Sequence, residues 1–260
     1  MRALYPFSWT TSQKEKCFAP VDHQKTTPDG YFNCITIDPD YKSLWAKAWA
    51  ELQPVVKSGA AIGVFLGDEH VYFGVTFAEV KLVADMIRSD WPEAIIYENE
   101  APDIGMCNYN KQNQTVLADG ECLPTNVDWF GWDFYAGDST SWTTVREAYE
   151  TQVYPRFSRS GQRAVPVSLG STGSLTAAQA ETFDAFCALN AREFFRFGLE
   201  DPRVVALFPF YWNAGAVVHK NGSITGNTGI KQLKNCRATY EAIGKMIMAA
   251  GPQGTSGLDP

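Results

Sequence analysis

The sequence of 260 residues lacks the features that define several classes of protein. No stretch approaches the roughly 20 consecutive apolar residues that a membrane span needs. Lysine and arginine form no block and the net charge is −7, so we predict neither nucleic acid nor a membrane as a partner. The opening stretch, "MRALYPFSWTTSQKEKC", has too short an apolar core to predict a signal peptide.

Metal-binding and cofactor-binding patterns are also missing. The six cysteines lie at no spacing typical of a metal centre. Of the three histidines, His23 and His219 are isolated, and His70 is interpreted as a loop or structural residue. No Ser-His-Asp set can be assembled from the pattern. We therefore predict no metal and no cofactor.

The cysteines and two sequons favour a secreted or secretory-pathway protein. Cys107 and Cys122 bracket a polar loop and could close it as a disulfide. Cys187 is interpreted as a small buried apolar residue on a helix. N-glycosylation sequons begin at Asn113 and Asn221. An even cysteine count together with two sequons is typical of proteins that pass through an oxidising compartment.

Short apolar runs alternate with helical patterns along most of the chain. Capping boxes at Thr76–Glu79 and Thr144–Glu147 mark two helix starts, and Asp38-Pro39 marks a third. After the first box, apolar residues recur at helical spacing, and a long helix and a terminal helix near 231–249 follow later. The recurring residues are Phe77, Val80, Val83, Ala84 and Ile87. The strand-like runs are 32–38, 61–67, 93–101, 127–135, 163–170 and 203–212.

Strands that alternate with helices predict parallel βαβ units and the α/β class. The length suits a TIM-type (β/α) barrel, which typically needs about 250 residues. A doubly wound sheet is disfavoured because no glycine-rich phosphate loop follows an early strand. About six units are visible, so we predict one barrel domain over 1–260 that is incomplete or divergent at its N-terminus. Residues 1–30 are predicted to pack irregularly on the barrel, and 251–260 to form a tail.

Acidic residues follow two of the predicted strands. Alternate residues of a barrel strand face inward, and functional groups lie at the carboxyl ends. This alternation places Glu69 at the mouth and Asp133 just inside the rim. In the strand between them the phase is open, since two alternations are equally compatible with "IIYENE". Either Glu98 and Glu100 face inward, or Tyr97 and Asn99 do.

Three motifs, in order, resemble the (β/α)8 glycoside hydrolases, especially a poorly characterised hydrolase-like branch. They are Gly67-Asp68-Glu69, Asn99-Glu100-Ala101 and Asp133-Phe134-Tyr135. The resemblance implies catalytic roles for Glu69, Glu100 and Asp133. We assign substrate binding to Asp68, Asn99 and Tyr135 within the motifs, and to Tyr211, Trp212 and Asn213 at the end of the last run.

The chain departs from the two best-known patterns of that superfamily. Alanine rather than proline follows Asn99-Glu100, and the run "VPVSLGSTG" supplies no carboxylate nucleophile. Ile62, Phe65 and Gly67 stand where the chitinase-like family has three aspartates. We predict a glycoside hydrolase acting on an oligo- or polysaccharide, with Glu69 as general acid. The alternative is a non-catalytic carbohydrate-binding barrel or lapsed enzyme; the sequence predicts no oligomeric state.

Deleting residues 1–20 should lower the melting temperature. That segment contains Leu4, Tyr5, Phe7, Trp9 and Phe18, and burying such side chains contributes on the order of 1.5–3 kcal/mol each. Thermal unfolding of the deletion variant and the full chain tests this. Equal melting temperatures would show that the segment adds nothing to stability.

Overall fold

The computed structural model describes ten segments of the chain. They are residues 2–3, 9–18, 31–71, 73–100, 109–110, 115–116, 123–133, 146–170, 172–210 and 217–250. The chain divides into two units. The first comprises Met1–Trp132 with Glu150–Arg163, and the second Asp133–Tyr149 with Ala164–Pro260. Each is described by itself.

The first unit contains a parallel sheet and two antiparallel pairs. In the sheet, β1, β4, β5 and β8 are neighbours in that order. Strand β2 pairs with β3, and β6 with β7. The strands are β1 Arg2–Ala3, β2 Trp9–Phe18, β3 Tyr31–Ile37, β4 Gly63–Asp68, β5 Ile95–Glu100, β6 Tyr109–Asn110, β7 Thr115–Val116 and β8 Trp129–Trp132. Helix α1 spans Tyr41–Lys57 and helix α2 Phe77–Asp90.

The second unit repeats the strand–helix alternation. Strand β9 (Arg163–Leu169) pairs in parallel with β10 (Phe208–Phe210), and helix α3 (Ala177–Glu200) lies between them in sequence. An antiparallel hairpin of β11 (Val217–Val218) and β12 (Ile224–Thr225) follows. Helix α4 (Lys234–Ala250) is the last described element.

The parallel strands confirm the predicted fold class, an incomplete α/β barrel. In each unit they are added in chain order, as in a barrel, whereas a doubly wound sheet reverses direction at a switch point. The described residues form four parallel strands in the first unit and two in the second, against eight in a complete barrel. No helix in the described part of the chain is long and apolar enough to cross a membrane.

Helix α2 forms as its sequence signals predict. Thr76 Oγ1 accepts from the Glu79 amide at 3.2 Å, and Glu79 Oε2 accepts from the Thr76 amide at 2.8 Å. This reciprocal capping satisfies two amides that the helix leaves unpaired. All five apolar residues predicted at helical spacing are buried. The helix ends at Asp90, two residues before Pro92.

Two sequence predictions for the segment before α2 are wrong. Helix α1 begins at Tyr41 rather than at Asp38-Pro39. The reason is that Asp38 Oδ1 accepts from the Asp40 amide at 2.8 Å, so its side chain closes a turn ahead of the helix. Strand β3, counted as part of a βαβ unit, pairs antiparallel with β2. It is therefore not a strand of the parallel sheet.

An acidic side chain ties the amino-terminal edge of the first unit's sheet together. Asp128, next to the start of β8, accepts from the amide of Ile96 in β5 at 2.8 Å and from the guanidinium groups of Arg88 and Arg159. Its carbonyl accepts from the Arg163 amide at 2.8 Å. One carboxylate thus links α2, β5 and the segment that leads into β9. At this end of a parallel sheet such a network serves stability rather than chemistry.

A disulfide and a carboxylate join the two long helices of the second unit. Cys187 of α3 is bonded to Cys236 of α4 with a Cα–Cα distance of 5.3 Å, which corrects the prediction of a merely apolar Cys187. Asp184 accepts from the amides of Asn235 and Cys236 at 2.9 and 2.8 Å. It supplies the first turn of α4 with hydrogen-bond partners from a neighbouring helix.

Reduction of this disulfide should destabilise the protein. The bond closes a loop of 49 residues, for which loop-closure entropy gives about 4 kcal/mol. We expect the melting temperature of the wild type to fall when a reductant is added. The double variant Cys187→Ala/Cys236→Ala is the control, because it should start lower and lose less on reduction. A wild type indifferent to reductant would contradict the prediction.

Candidate active site at the carboxyl ends of β4 and β5

A bulge at the end of β4 decides which side chains reach the rim. Phe65 is paired with Tyr97, and the next paired residue, Asp68, is opposite Asn99. Three residues of β4 therefore span two of β5. Gly67 has a φ of +150°, and a Cβ built there would lie 1.7 Å from Cε1 of His70. Only glycine fits at this position.

The bulge places Asp68, instead of Glu69, on the face of Phe65. The predicted alternation of inward residues is thus wrong from Gly67 onward, because one extra residue inverts the phase. Asn99 Nδ2 donates to Asp68 Oδ1 at 2.6 Å. Asp68 is exposed and Asn99 is buried. The structure therefore brings together two of the predicted substrate-binding residues.

The pairing of β4 with β5 also shows which of the two predicted alternations applies to β5. Tyr97 and Asn99 lie on the face of Phe65, whose ring stacks on that of Tyr97 with centroids 4.8 Å apart. A Cβ on Gly131 of the neighbouring strand would lie 2.1 Å from Asn99 Oδ1, so glycine makes room for this amide. Glu98 and Glu100 lie on the opposite face. Both are fully buried there.

Glu69 occupies the turn that follows β4 and has a strained backbone. Its φ is 54°, and it is the one non-glycine residue with a positive φ among those described. Its amide donates to the Asn99 carbonyl at 2.8 Å, and its carbonyl accepts from the Phe73 amide at 3.0 Å. The side chain is half-buried. A left-handed non-glycine residue costs on the order of 1–3 kcal/mol and is concentrated at functional sites.

Behind the rim, two carboxyl groups and an imidazole form a buried cluster. Glu100 Oε1 accepts from the Val71 amide at 2.9 Å. Glu98 Oε1 lies 3.4 Å from Nδ1 of His70, and a charge on Glu98 adds to the cost of ionising Glu100. All three ionisable side chains are completely buried. We name Glu98, Glu100 and His70 the buried acid cluster.

Burial keeps this cluster neutral near pH 7. It raises the pKa of Glu98 to about 8 and that of Glu100 well above its ordinary value. It lowers the pKa of His70 to about 4. The contact between His70 and Glu98 is thus a hydrogen bond rather than an ion pair. Two charged carboxylates could not share this space without water, whereas protonated ones can donate to each other.

The cluster fixes the turn that carries Glu69. Val71 is held by Glu100, and the Val75 amide donates to the His70 carbonyl at 3.0 Å. On the other side of the turn, the Ile35 amide in β3 donates to the Phe73 carbonyl at 2.8 Å. The turn between β4 and α2 is therefore anchored on both sides. Its geometry is set by hydrogen bonds to buried and half-buried groups.

The remaining predicted site residues are Glu100, Asp133 and four residues further along the chain. Glu100 has no exposed surface, so its catalytic role stays a prediction. Asp133 is 3% exposed and belongs to the second unit; its role likewise stays a prediction. Tyr135, Tyr211, Trp212 and Asn213 lie outside the described residues. No group of three metal-binding side chains occurs within the described segments.

Sequence reasoning missed the structural role of His70, Glu98 and Glu100 as a unit. The available signal was the pairing of two glutamates two residues apart in a buried strand. Such residues share one face, and like-charged neighbours on a dry face must be neutralised. What the pattern could not supply was the bulge that brings His70 against Gly67.

Comparison with known proteins gives only weak structural similarities. No protein-family model matches the sequence, and no curated protein matches it significantly. Xylanase 10B from Thermotoga maritima is 14% identical with a TM-score of 0.38, and the match covers 64% of this chain and 53% of that one. For a fungal beta-1,4-galactanase the values are 15%, 0.41, 62% and 55%. The chain thus spans about half the length of either protein.

Stability should fall as pH rises from about 6.5 to 8. Over the range from 4.5 to about 8 the unfolded chain releases the Glu98 proton while the folded chain keeps it, so each rise in pH favours unfolding. His70 has the opposite effect only between about 4 and 6.5. Above pH 6.5 His70 no longer offsets the effect of the two carboxyl groups of the cluster. Between pH 6.5 and 8 Glu98 should lower the free energy of unfolding by about 1–2 kcal/mol.

The contribution of Glu98 is measured by denaturant unfolding of the variant Glu98→Gln. The pH values 6.5, 7.25 and 8 span the window at roughly equal steps. The variant should show a shallower loss of unfolding free energy than the wild type. Glu93→Gln is the matched control, because Glu93 is exposed at the other end of β5. Parallel curves for wild type and Glu98→Gln would show that Glu98 is not the group responsible.

Proposed function

We propose that the protein is a glycoside hydrolase acting on an oligo- or polysaccharide at the carboxyl ends of β4 and β5. The observation that carries the proposal is Glu69. It is an acidic residue in a strained backbone conformation, at the end of the strand where this fold places its chemistry. Hydrogen bonds on both sides of the turn maintain this conformation.

Glycoside hydrolysis requires one carboxyl group that donates a proton and one that is ionised. Glu69 is the proposed general acid, because it is half-buried and follows an ionisable neighbour. Asp68 is proposed to bind the substrate, since it is exposed and accepts from the Asn99 amide. The roles assigned to Glu100 and Asp133 stay predictions.

The substitution Glu69→Gln should reduce hydrolysis by roughly 10²–10⁴-fold, the usual contribution of a general acid. The substrate is found first, by screening the wild type against a panel of oligo- and polysaccharides for release of reducing ends. Glu93→Gln serves again as the control and should retain full activity. If Glu69→Gln cleaved the same glycan at the wild-type rate, Glu69 would have no catalytic role.

The burial of Glu100 favours a second candidate function, carbohydrate binding without turnover. Its carboxyl group is completely buried and accepts from the Val71 amide. In that case glycans should bind without release of reducing ends, and Asp68→Ala should weaken binding. Measuring binding and hydrolysis on the same panel separates the two functions. Any sustained hydrolysis rejects the second.

A further inference from the structure

The hairpin after β10 presents an asparagine at its tip. The turn between β11 and β12 is closed by the His219 amide donating to the Ser223 carbonyl at 2.8 Å and by the Gly222 amide donating to the His219 carbonyl at 2.9 Å. Gly222 has a φ of +84°, which favours glycine. Asn221 precedes it and is exposed.

The side chain of Asn221 uses only its oxygen within this turn. Oδ1 accepts from the Ser223 amide at 3.1 Å and from the Ser223 hydroxyl at 2.8 Å. Within the described part of the chain, Nδ2 makes no hydrogen bond. A group attached to Nδ2 would therefore displace no interaction among the described residues. It would extend into solvent from the end of a hairpin.

The sequence around this asparagine is the acceptor pattern for N-linked glycans. Asn221-Gly222-Ser223 has the required hydroxyl residue at the third position and no proline at the second. In the turn the Ser223 hydroxyl donates to Oδ1 of Asn221 and not to Nδ2, the atom that would carry the glycan. Glycine at the middle position leaves the turn sterically open.

An independent observation in the same unit concerns the compartment. The disulfide between Cys187 and Cys236 is fully buried. Such bonds form and persist where the environment is oxidising, as in the endoplasmic reticulum. N-linked glycans are added to chains that enter that compartment. The disulfide and the exposed sequon thus both indicate a chain that enters the endoplasmic reticulum.

We propose that Asn221 is an N-glycosylation site. The donor is an oligosaccharide carried on a lipid pyrophosphate. Nδ2 of Asn221 forms a bond to the anomeric carbon of the first sugar as the bond from that carbon to the pyrophosphate oxygen breaks. The amide loses one proton, the lipid pyrophosphate leaves with the bonding electrons, and no group is oxidised or reduced.

The test is cell-free translation of the full chain, placed behind a cleavable signal sequence, with microsomes from the endoplasmic reticulum. The expected product is heavier than the unmodified chain, and peptide N-glycosidase F returns it to the unmodified mass. Performed in heavy-oxygen water, that release converts the Asn221 amide to a labelled carboxylate. Peptide mass spectrometry then locates the label and distinguishes Asn221 from the second sequon at Asn113.

Three variants sharpen the result. Asn221→Gln and Ser223→Ala should abolish the label at this position, whereas Ser223→Thr should retain it because the hydroxyl is kept. Asn221→Gln should leave the melting temperature of the unglycosylated protein unchanged, since only exposed turn contacts are altered. An unlabelled Asn221 peptide from wild-type chain recovered inside the microsomes would overturn the proposal. So would a label that persists in Ser223→Ala.

Discussion

Neutral, buried carboxyl groups set the geometry of the candidate site. Glu100 holds the Val71 amide, and Glu98 lies 3.4 Å from His70 on the same fully buried face of β5. Because the dry environment raises both carboxyl pKa values, the groups can share a hydrogen bond instead of repelling each other. The turn after β4, and with it the backbone of Glu69, depends on this pair.

The acidic side chains at the two ends of the first unit's sheet are stabilised in different ways. At the amino-terminal end, Asp128 faces two arginines, so charges are paired with charges. At the carboxyl end, acids are either buried and protonated or exposed at the rim, as with Asp68. An ion-paired network is stable but chemically inert. Acids with unlike environments can divide the roles of proton donor and ionised partner.

Patterns confined to one helix or one strand were predictable from the sequence. Helix α2 has its capping box, its buried face and its stop signal within one continuous segment, so local spacing was sufficient. The start of α1 was displaced because the Asp38 side chain prefers to close a turn. Partners from distant segments were not predictable, such as Asp184 for the first turn of α4 and Cys187 for Cys236.

The sequence by itself determined the α/β class, the alternation of strands and helices, and the presence of acids at the carboxyl ends of β4 and β5. These depend on periodicity and on residue type, which are local properties. Only the tertiary structure decided which acids face the rim. The bulge at Gly67 adds one residue to β4 relative to β5, and a shift of one residue exchanges the two faces of a strand. Asp68 therefore lies at the rim beside Asn99, and Glu100 is buried behind it.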